Sequence, residues 1–531
     1  LNKICPERQL GMLSNFWRRR RLLGSFLVAA FSLYICWAIY ALAYTSYVAE
    51  NPLPEIVVEP PLAKYARVNS RLSINPDSAA KANANIKKAS PQQERKKSMF
   101  HLDVRNPPSL PDGHVSLNVP HNELRKVPWC DKIDLSSPVS AQELRFLSIH
   151  PNDKDVLTYS AYYDRREKSG RPVVRAVGIA LAGRANGLLC QLWYRRYADV
   201  MAAVPASVEV VPEGNGRRYD SVLLSCENRA PDGEAPYAVS FARSACAQPN
   251  GIHSVRPLPA EPVGNGRIAV CITPLNLHYD KVDELVQTFE LNRLFGADWF
   301  FVYNHTTSER MTKMLANEQF ARDLTILPFH PPVKVHVWPL PPGYTEDVKY
   351  YAQMAMLQDC IMRASADFEF AVFTDMDEVI VPRSAGFNNW RDLIRTKMPD
   401  LGTGGLSFQN TFYRLEWPSD PQIAANATIA GLKLSALLKL RREAVIYSHG
   451  SRSKMIVRPH FVRVMGVHNV WRYFSGSTAS VDFNTAGMHH YRSWEGGGEK
   501  SFVQDPVMLR YREQLVARAL RARTVLGLPV S

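Results

Sequence analysis

The chain has 531 residues, 46% of them apolar and 21% charged. That length exceeds one ordinary domain, and that composition excludes a wholly disordered chain. The net charge is +14, but residues 1–21 hold six basic residues against Glu7 and residues 81–97 hold six against Glu94, +5 in each, leaving +4 for everything else. A folded nucleic-acid-binding body would carry its basic charge on the fold, so that class is excluded.

Leu22 to Tyr44 is a run of 23 residues without a charge, long enough at ~1.5 Å per residue to cross a ~30 Å hydrocarbon core. Arg18 to Arg21 precede it, whereas Glu50, Glu55 and Glu59 come before the next basic residue, Lys64. This asymmetry predicts a cytosolic tail (1–21), an uncleaved signal anchor (22–44) and a lumenal remainder, a single-pass type II arrangement. Residues 45–128, rich in Pro, Ala, Ser, Asn and Lys without apolar period, read as a flexible stem. On the lumenal side, Cys130, Cys190, Cys226, Cys246, Cys271 and Cys360 are an even set that an oxidising compartment can pair. Sequons at Asn304 and Asn426 agree with that side.

Between 129 and 262, short β-rich runs such as VVRAVGIALAG, SVEVVPE, YDSVLLSCE and YAVSFARSAC alternate with turn signals, which predicts a small β-rich module, either a separate sandwich or the flank of the next domain. From 263 to 531 the pattern changes. RIAVCITPL, ADWFFVYN, LTILPF and VKVHVWPL read as strands, while DKVDELVQTFELNRLFG and YYAQMAMLQDCIMRAS have helical spacing. FEFAVFTDMDEVIVP reads as a buried strand breaking into a loop, and PVMLRYREQLVARALRARTVLG as a closing amphipathic helix. Alternating β and α elements predict an α/β fold with a doubly wound, mostly parallel sheet, whose ligands sit beyond the carboxyl ends of the strands.

The run Asp375, Asp377, Glu378 falls at such an end. Alternate carboxylates in a turn converge on one hard divalent cation, which takes oxygen ligands and bridges diphosphate oxygens. A lone acid-x-acid turn is more often just solvated; here the strongly apolar strand before it and VIVP after it raise the reading.

Several ordered blocks carry a resemblance: SAYYDRR (Ser160–Arg166), VCITPL (Val270–Leu275), FGADWFFVYN (Phe295–Asn304), the Asp359-Cys360 pair, TDMDEVIVP, SKMIVRP (Ser453–Pro459), GVH (Gly466–His468) and HHYRSW (His489–Trp494). Together they resemble glycosyltransferase family 92. The resemblance implies a GT-A-like fold and inverting transfer from a UDP-sugar with Mn2+ or Mg2+. It also implies chiefly β-galactosyl chemistry, as in the extension of pectic galactan, and a carbohydrate-binding role for the β-rich module at 129–262; with the type II topology it gives a Golgi membrane setting. Asp375 and Asp377 would hold the cation on the donor diphosphate, with His490, or in competition His468, as the late ligand. Lys454, Arg458 and Arg492 are the cations available to neutralise the leaving group. Glu378, Glu416, Asp482 and Glu495 are all open as the acceptor base, and Glu378 alternatively backs the metal shell. Trp471, Tyr473 and Trp494 suit sugar stacking or a core. The implied partners are a nucleotide sugar, a glycan or polysaccharide acceptor and the membrane, with no nucleic acid; a homodimer stays open.

Two other classes compete. VFTDMDEVIV also matches the opening of haloacid-dehalogenase-type phosphatases, with Asp375 as nucleophile, yet no later acidic pair follows Glu378 to hold Mg2+. A membrane-tethered, lectin-like binder is the non-enzymatic reading, and it has no need of Asp375 and Asp377 together.

Overall fold

The computed structural model describes residues 144–529 except 168–169, 195–199, 231–232 and 494–500. The predicted anchor and stem, Cys130, Trp494 and Glu495 lie outside the described residues. No helix among the described residues is long and apolar enough to cross a membrane.

Eight strands between Leu147 and Pro257 form one antiparallel-rich sheet. Its long strand Asp153–Asp164 pairs on one side with Val173–Leu181 and on the other with Ile252–Pro257, with Ala161 opposite Val255, so the sheet curls back on itself. Such closure leaves few open edges. Gly178 permits the tight crossing at the bulge after Thr158, because a Cβ there would stand 2.4 Å from the Leu157 carbonyl oxygen. The four runs read as strands all lie in this sheet.

The second sheet has seven strands in the order Leu324–Pro328, Trp299–Asn304, Ile268–Leu275, Phe370–Thr374, Lys454–Val457, Thr403–Phe408, Ser477–Val481. The first four run parallel, Lys454–Val457 runs against both its neighbours, and the last two return to the parallel direction. This is the mostly parallel α/β sheet expected. One face is covered by the helices Val282–Phe295 and Arg512–Val525. The first of these ends where Gly296 takes φ 114, a left-handed stop. The other face is covered by the helix Gln353–Asp367, on whose far side the β-rich sheet packs, in a shared apolar core that includes Tyr159, Tyr162, Met356, Ile361 and Phe373.

Two local expectations differ from the structure. VKVHVWPL is irregular rather than a strand; prolines flank it at 331, 332, 341 and 342 and Pro339 falls within it, and they offer no N–H to a ladder. The helix expected from Tyr350 begins at Gln353, because Tyr350, Tyr351 and Ala352 all adopt positive φ (41, 59 and 58).

Disulfides join Cys190 to Cys226 and Cys271 to Cys360, and Cys246 is disulfide-bonded as well. The Cys271–Cys360 bond ties the central strand to the helix lying across it.

Candidate active site

The strand Phe370–Thr374 is wholly buried, so the chain emerges at its end with Asp375 as the first side chain near solvent. Three residues later the backbone enters a different sheet, in which Glu378–Pro382 pairs with Ala486–Arg492 and that strand with Asn410–Arg414. The acid turn is therefore the hinge between two sheets. The register sets Glu378 opposite His490, and the Tyr491 N–H donates to the Asp377 carbonyl at 2.8 Å. A histidine more than a hundred residues away in sequence is thereby fixed beside the acids.

His490 Nε2 lies 3.2 Å from Asp377 Oδ2, and its Nδ1 lies 3.3 Å from Glu378 Oε1. Lys454, only 2% exposed, reaches Asp375 Oδ2 at 3.0 Å and Glu378 Oε2 at 3.1 Å. Asp375 and Asp377 remain 29% and 24% exposed, whereas Glu378 is 3% exposed. The two acids thus open outward while Lys454 and Glu378 form the buried layer behind them.

The charges follow from this layering. Burial opposes ionisation of Asp375, but the Lys454 ammonium, the Thr273 hydroxyl and then His490 outweigh it and bring its pKa down to about 2. Burial, then the Asp375 charge, pushes Glu378 up to about 7 in spite of Lys454 and His490. Burial also opposes the Lys454 charge, yet Asp375 and Glu378 hold it protonated well above the usual range. For His490, burial is outweighed by Glu378 and Asp377, and its pKa rises.

The remaining sequence-predicted residues divide. His468 stands near the cluster: its Nδ1 donates to the Ser453 carbonyl at 3.0 Å, and burial, then the Lys454 charge, lowers its pKa. Arg492 follows His490 on the same strand and faces Tyr350 electrostatically. Arg458 does not belong to the site. It pairs with Glu369 at 2.8 Å and lies over the Phe370 ring, at the opposite edge of the sheet. Glu416 pairs with Arg414 at 3.3 Å, away from the acid turn. Asp482 caps its own turn by accepting the Asn484 N–H at 2.9 Å, three strands across from Phe370–Thr374. Of the described base candidates only Glu378 touches the cluster, and its burial behind the acids gives it the role of support.

Two features have little signal in the sequence. A cleft of about 580 Å³ opens at Asp377 and is lined also by Asp280, Glu284, Gln287, Ser435 and Tyr491. Burial raises the Glu284 pKa and, after the opposing Lys281, so does Asp377. Glu284 lies in the first turn of a helix, where an acid is usual on dipole grounds alone, so nothing marked it in advance. The second feature is Tyr350. Desolvation, then the charges of Asp375 and Asp377, pushes its hydroxyl up to about 12, although the residue is 42% exposed; it lies in the left-handed segment before the helix. Strain of that kind gathers at functional sites.

The fold and the site together define an α/β enzyme with its polar centre at the carboxyl edge of the sheet. Residues 266–519 match the model of glycosyltransferase family 92. The chain is 21% identical over 386 residues to the beta-1,4-galactosyltransferase galt-1 of Caenorhabditis elegans, covering 70% of this chain and 80% of that protein. Among solved structures it is similar to glucosyl-3-phosphoglycerate synthase from Mycobacterium tuberculosis in complex with Mn2+, UDP and glucosyl-3-phosphoglycerate. That match has 12% identity and a TM-score of 0.21, covering 50% of this chain and 81% of the other. A second crystal structure of the M. tuberculosis synthase gives 13% identity and a TM-score of 0.22 over the same shares. The match to a glycosyltransferase model speaks against the phosphatase reading of Asp375.

Proposed function

We propose that the chain is an inverting, metal-dependent galactosyltransferase that moves galactose from UDP-galactose to a glycan or polysaccharide acceptor. Its setting in this reading is the Golgi membrane, as a single-pass type II protein with the catalytic part lumenal and GT-A-like in architecture.

The observation that carries this reading is the two-sided placement of His490. A histidine that ligates a metal usually gives its other ring N–H to a carboxylate, which fixes the tautomer and raises the basicity of the ligating nitrogen. Here Glu378 faces Nδ1 and Asp377 faces Nε2. The donor set fits a hard or borderline divalent ion: one imidazole nitrogen, carboxylate oxygens, and Asp375 Oδ1, a buried oxygen without a hydrogen-bond partner. No group of three or more His, Cys, Asp or Glu side chains is placed to hold a metal ion among the described residues; in this reading Asp377 and His490 would hold it together with oxygens of the donor diphosphate. A bound Mn2+ or Mg2+ would supply positive charge to the donor diphosphate.

The chain's own residues do the rest. Lys454 keeps Asp375 ionised, and Glu378 orients His490. An inverting displacement also needs a carboxylate to take the acceptor hydroxyl proton. Glu284 supports that role best, being partly buried, raised in pKa and on the cleft that opens at Asp377.

The test is calorimetric titration of UDP-galactose and other UDP-sugars with Mn2+ and with EDTA, alongside transfer assays. Mn2+-dependent binding that Asp377→Ala abolishes is expected. Metal-dependent binding of undiminished strength in Asp377→Ala refutes the assignment.

A further inference from the structure

The turn between the strands Val200–Val210 and Tyr219–Glu227 of the β-rich sheet reaches across to the catalytic sheet. Glu209, near the end of the first of these strands, pairs with Arg463 at 3.1 Å and also with Arg472. Glu213 Oε1 accepts the Val467 N–H at 3.3 Å and the Trp471 indole N–H at 2.8 Å. Its backbone sits at φ 74, a region an L side chain rarely adopts. A glycine would take that conformation without cost, yet the position carries a carboxylate, and that carboxylate is used. Opposite it, a Cβ on Gly466 would stand 2.6 Å from Trp471 Nε1 and 2.7 Å from both Asn469 Oδ1 and Glu213 Oε1. The backbone here is closed in by the very groups that hold the indole.

The ring so held is not covered. Trp471 is 43% exposed. It shares the hairpin Val462–Tyr473 with His468, which donates to the carbonyl of Ser453, the residue next to Lys454. The hairpin therefore links the open indole to the Asp375–Lys454 pair.

We infer that Trp471 is a stacking platform for a pyranose of the acceptor, with Glu213, contributed by the β-rich sheet, as the positioning residue that fixes its plane; this deepens the glycosyltransferase reading and rests on it. An indole pinned along one edge with an open face suits the C–H face of a sugar ring, and galactose, with its axial 4-hydroxyl, presents a continuous one. Indole that served only the core would be covered, and an indole that served only the seam would not need an open face.

The experiment uses the full chain and its Trp471→Ala, Glu213→Ala and Glu213→Gln variants. Binding of β-galacto-, cello- and N-acetylchito-oligosaccharides is measured directly by titration, together with UDP and Mn2+ binding and acceptor and donor KM. Trp471→Ala is expected to weaken oligosaccharide binding and raise acceptor KM about tenfold or more, with donor KM and UDP affinity unchanged. Glu213→Ala moves the same quantities in the same direction by a smaller factor, and Glu213→Gln, which keeps an oxygen for the indole N–H, restores them. Thermal unfolding controls for folding. Oligosaccharide binding and acceptor KM untouched by Trp471→Ala overturn the proposal, as does wild-type protein that binds none of the three series. Loss of UDP binding by the wild type would instead sink the glycosyltransferase reading while the oligosaccharide titrations still decide this one.

Discussion

Lys454→Met removes a buried ammonium and leaves its stem. In the folded protein that ammonium stands 3.0 Å from Asp375 and 3.1 Å from Glu378, and its side chain is 2% exposed. Breaking a buried pair from one side costs about 3–5 kcal/mol, because the partner charge stays behind. For a folded unit of about 390 residues the unfolding entropy is about 0.8 kcal/mol per degree, so the loss corresponds to a fall in Tm of about 4–6 °C. The pH dependence has a definite sign. Glu378 has a folded pKa raised to about 7, above its unfolded 4.5, so the native state holds this proton more tightly and stability falls as pH rises through that window. Without Lys454 the folded pKa rises further and the window widens upward. The variant's deficit is therefore larger at pH 8 than at pH 6. Thermal unfolding in EDTA at both values measures it, and adding Glu378→Gln to the variant should recover part of the loss, since the two sites touch. A variant whose Tm stays within about 1 °C of wild type at both pH values would refute the idea that Lys454 neutralises the acids.

Two further outcomes concern the scaffold. His253 is buried against the Thr158 hydroxyl at 2.8 Å, and burial lowers its pKa to about 4. The unfolded chain takes up this proton near pH 6.5 and the folded one does not, so stability complete above pH 6.5 is lost as pH falls toward 4, by up to about 3 kcal/mol; His253→Gln should flatten that slope in urea titrations at pH 7 and 4.5. Replacing both Cys271 and Cys360 by Ser opens a closed loop of sequence separation 89 and should cost about 2–4 kcal/mol in the same titrations, whereas an unchanged midpoint would show that the bond carries no stability.

The acid turn was legible because the apolar run Phe370–Phe373 leads into alternate carboxylates and an apolar VIVP follows them. Its partner was legible only through the ordered motifs: nothing in HHYR separates His490 from His489, which is buried away from the acids against Arg383 at 2.9 Å and the Tyr413 ring. Arg458 was misplaced for a topological reason. It follows Lys454 by four residues in SKMIVRP, and had that strand run parallel to Phe370–Thr374 the two cations would have exchanged ends of the sheet. Because it runs antiparallel, Lys454 lands on the acids and Arg458 at the far edge. Glu284, Tyr350 and the Glu213–Trp471 contact were invisible in principle, since each depends on a packing or backbone conformation that no local pattern encodes.

The relation between the β-rich sheet and the catalytic sheet follows from the helix between them. The helix Gln353–Asp367 is buried along nearly its whole length, including Gln358, Asp359, Arg363 and Ser365. Polar groups in that position require partners, and they find them on both sides. Asp359 accepts from Ser160 at 2.6 Å and from Tyr162 in the β-rich sheet, from Tyr303 at 2.6 Å in the catalytic sheet, and from Arg363 on its own helix. Arg166 likewise donates to Ser365 at 3.2 Å and to the Pro459 carbonyl at 3.2 Å. Removing the β-rich strands would strand a buried carboxylate with half its donors and expose the apolar face of the helix, each a cost of several kcal/mol. The β-rich sheet is thus not a detachable binder tethered beside an enzyme. It completes the core under the strand that delivers Asp375.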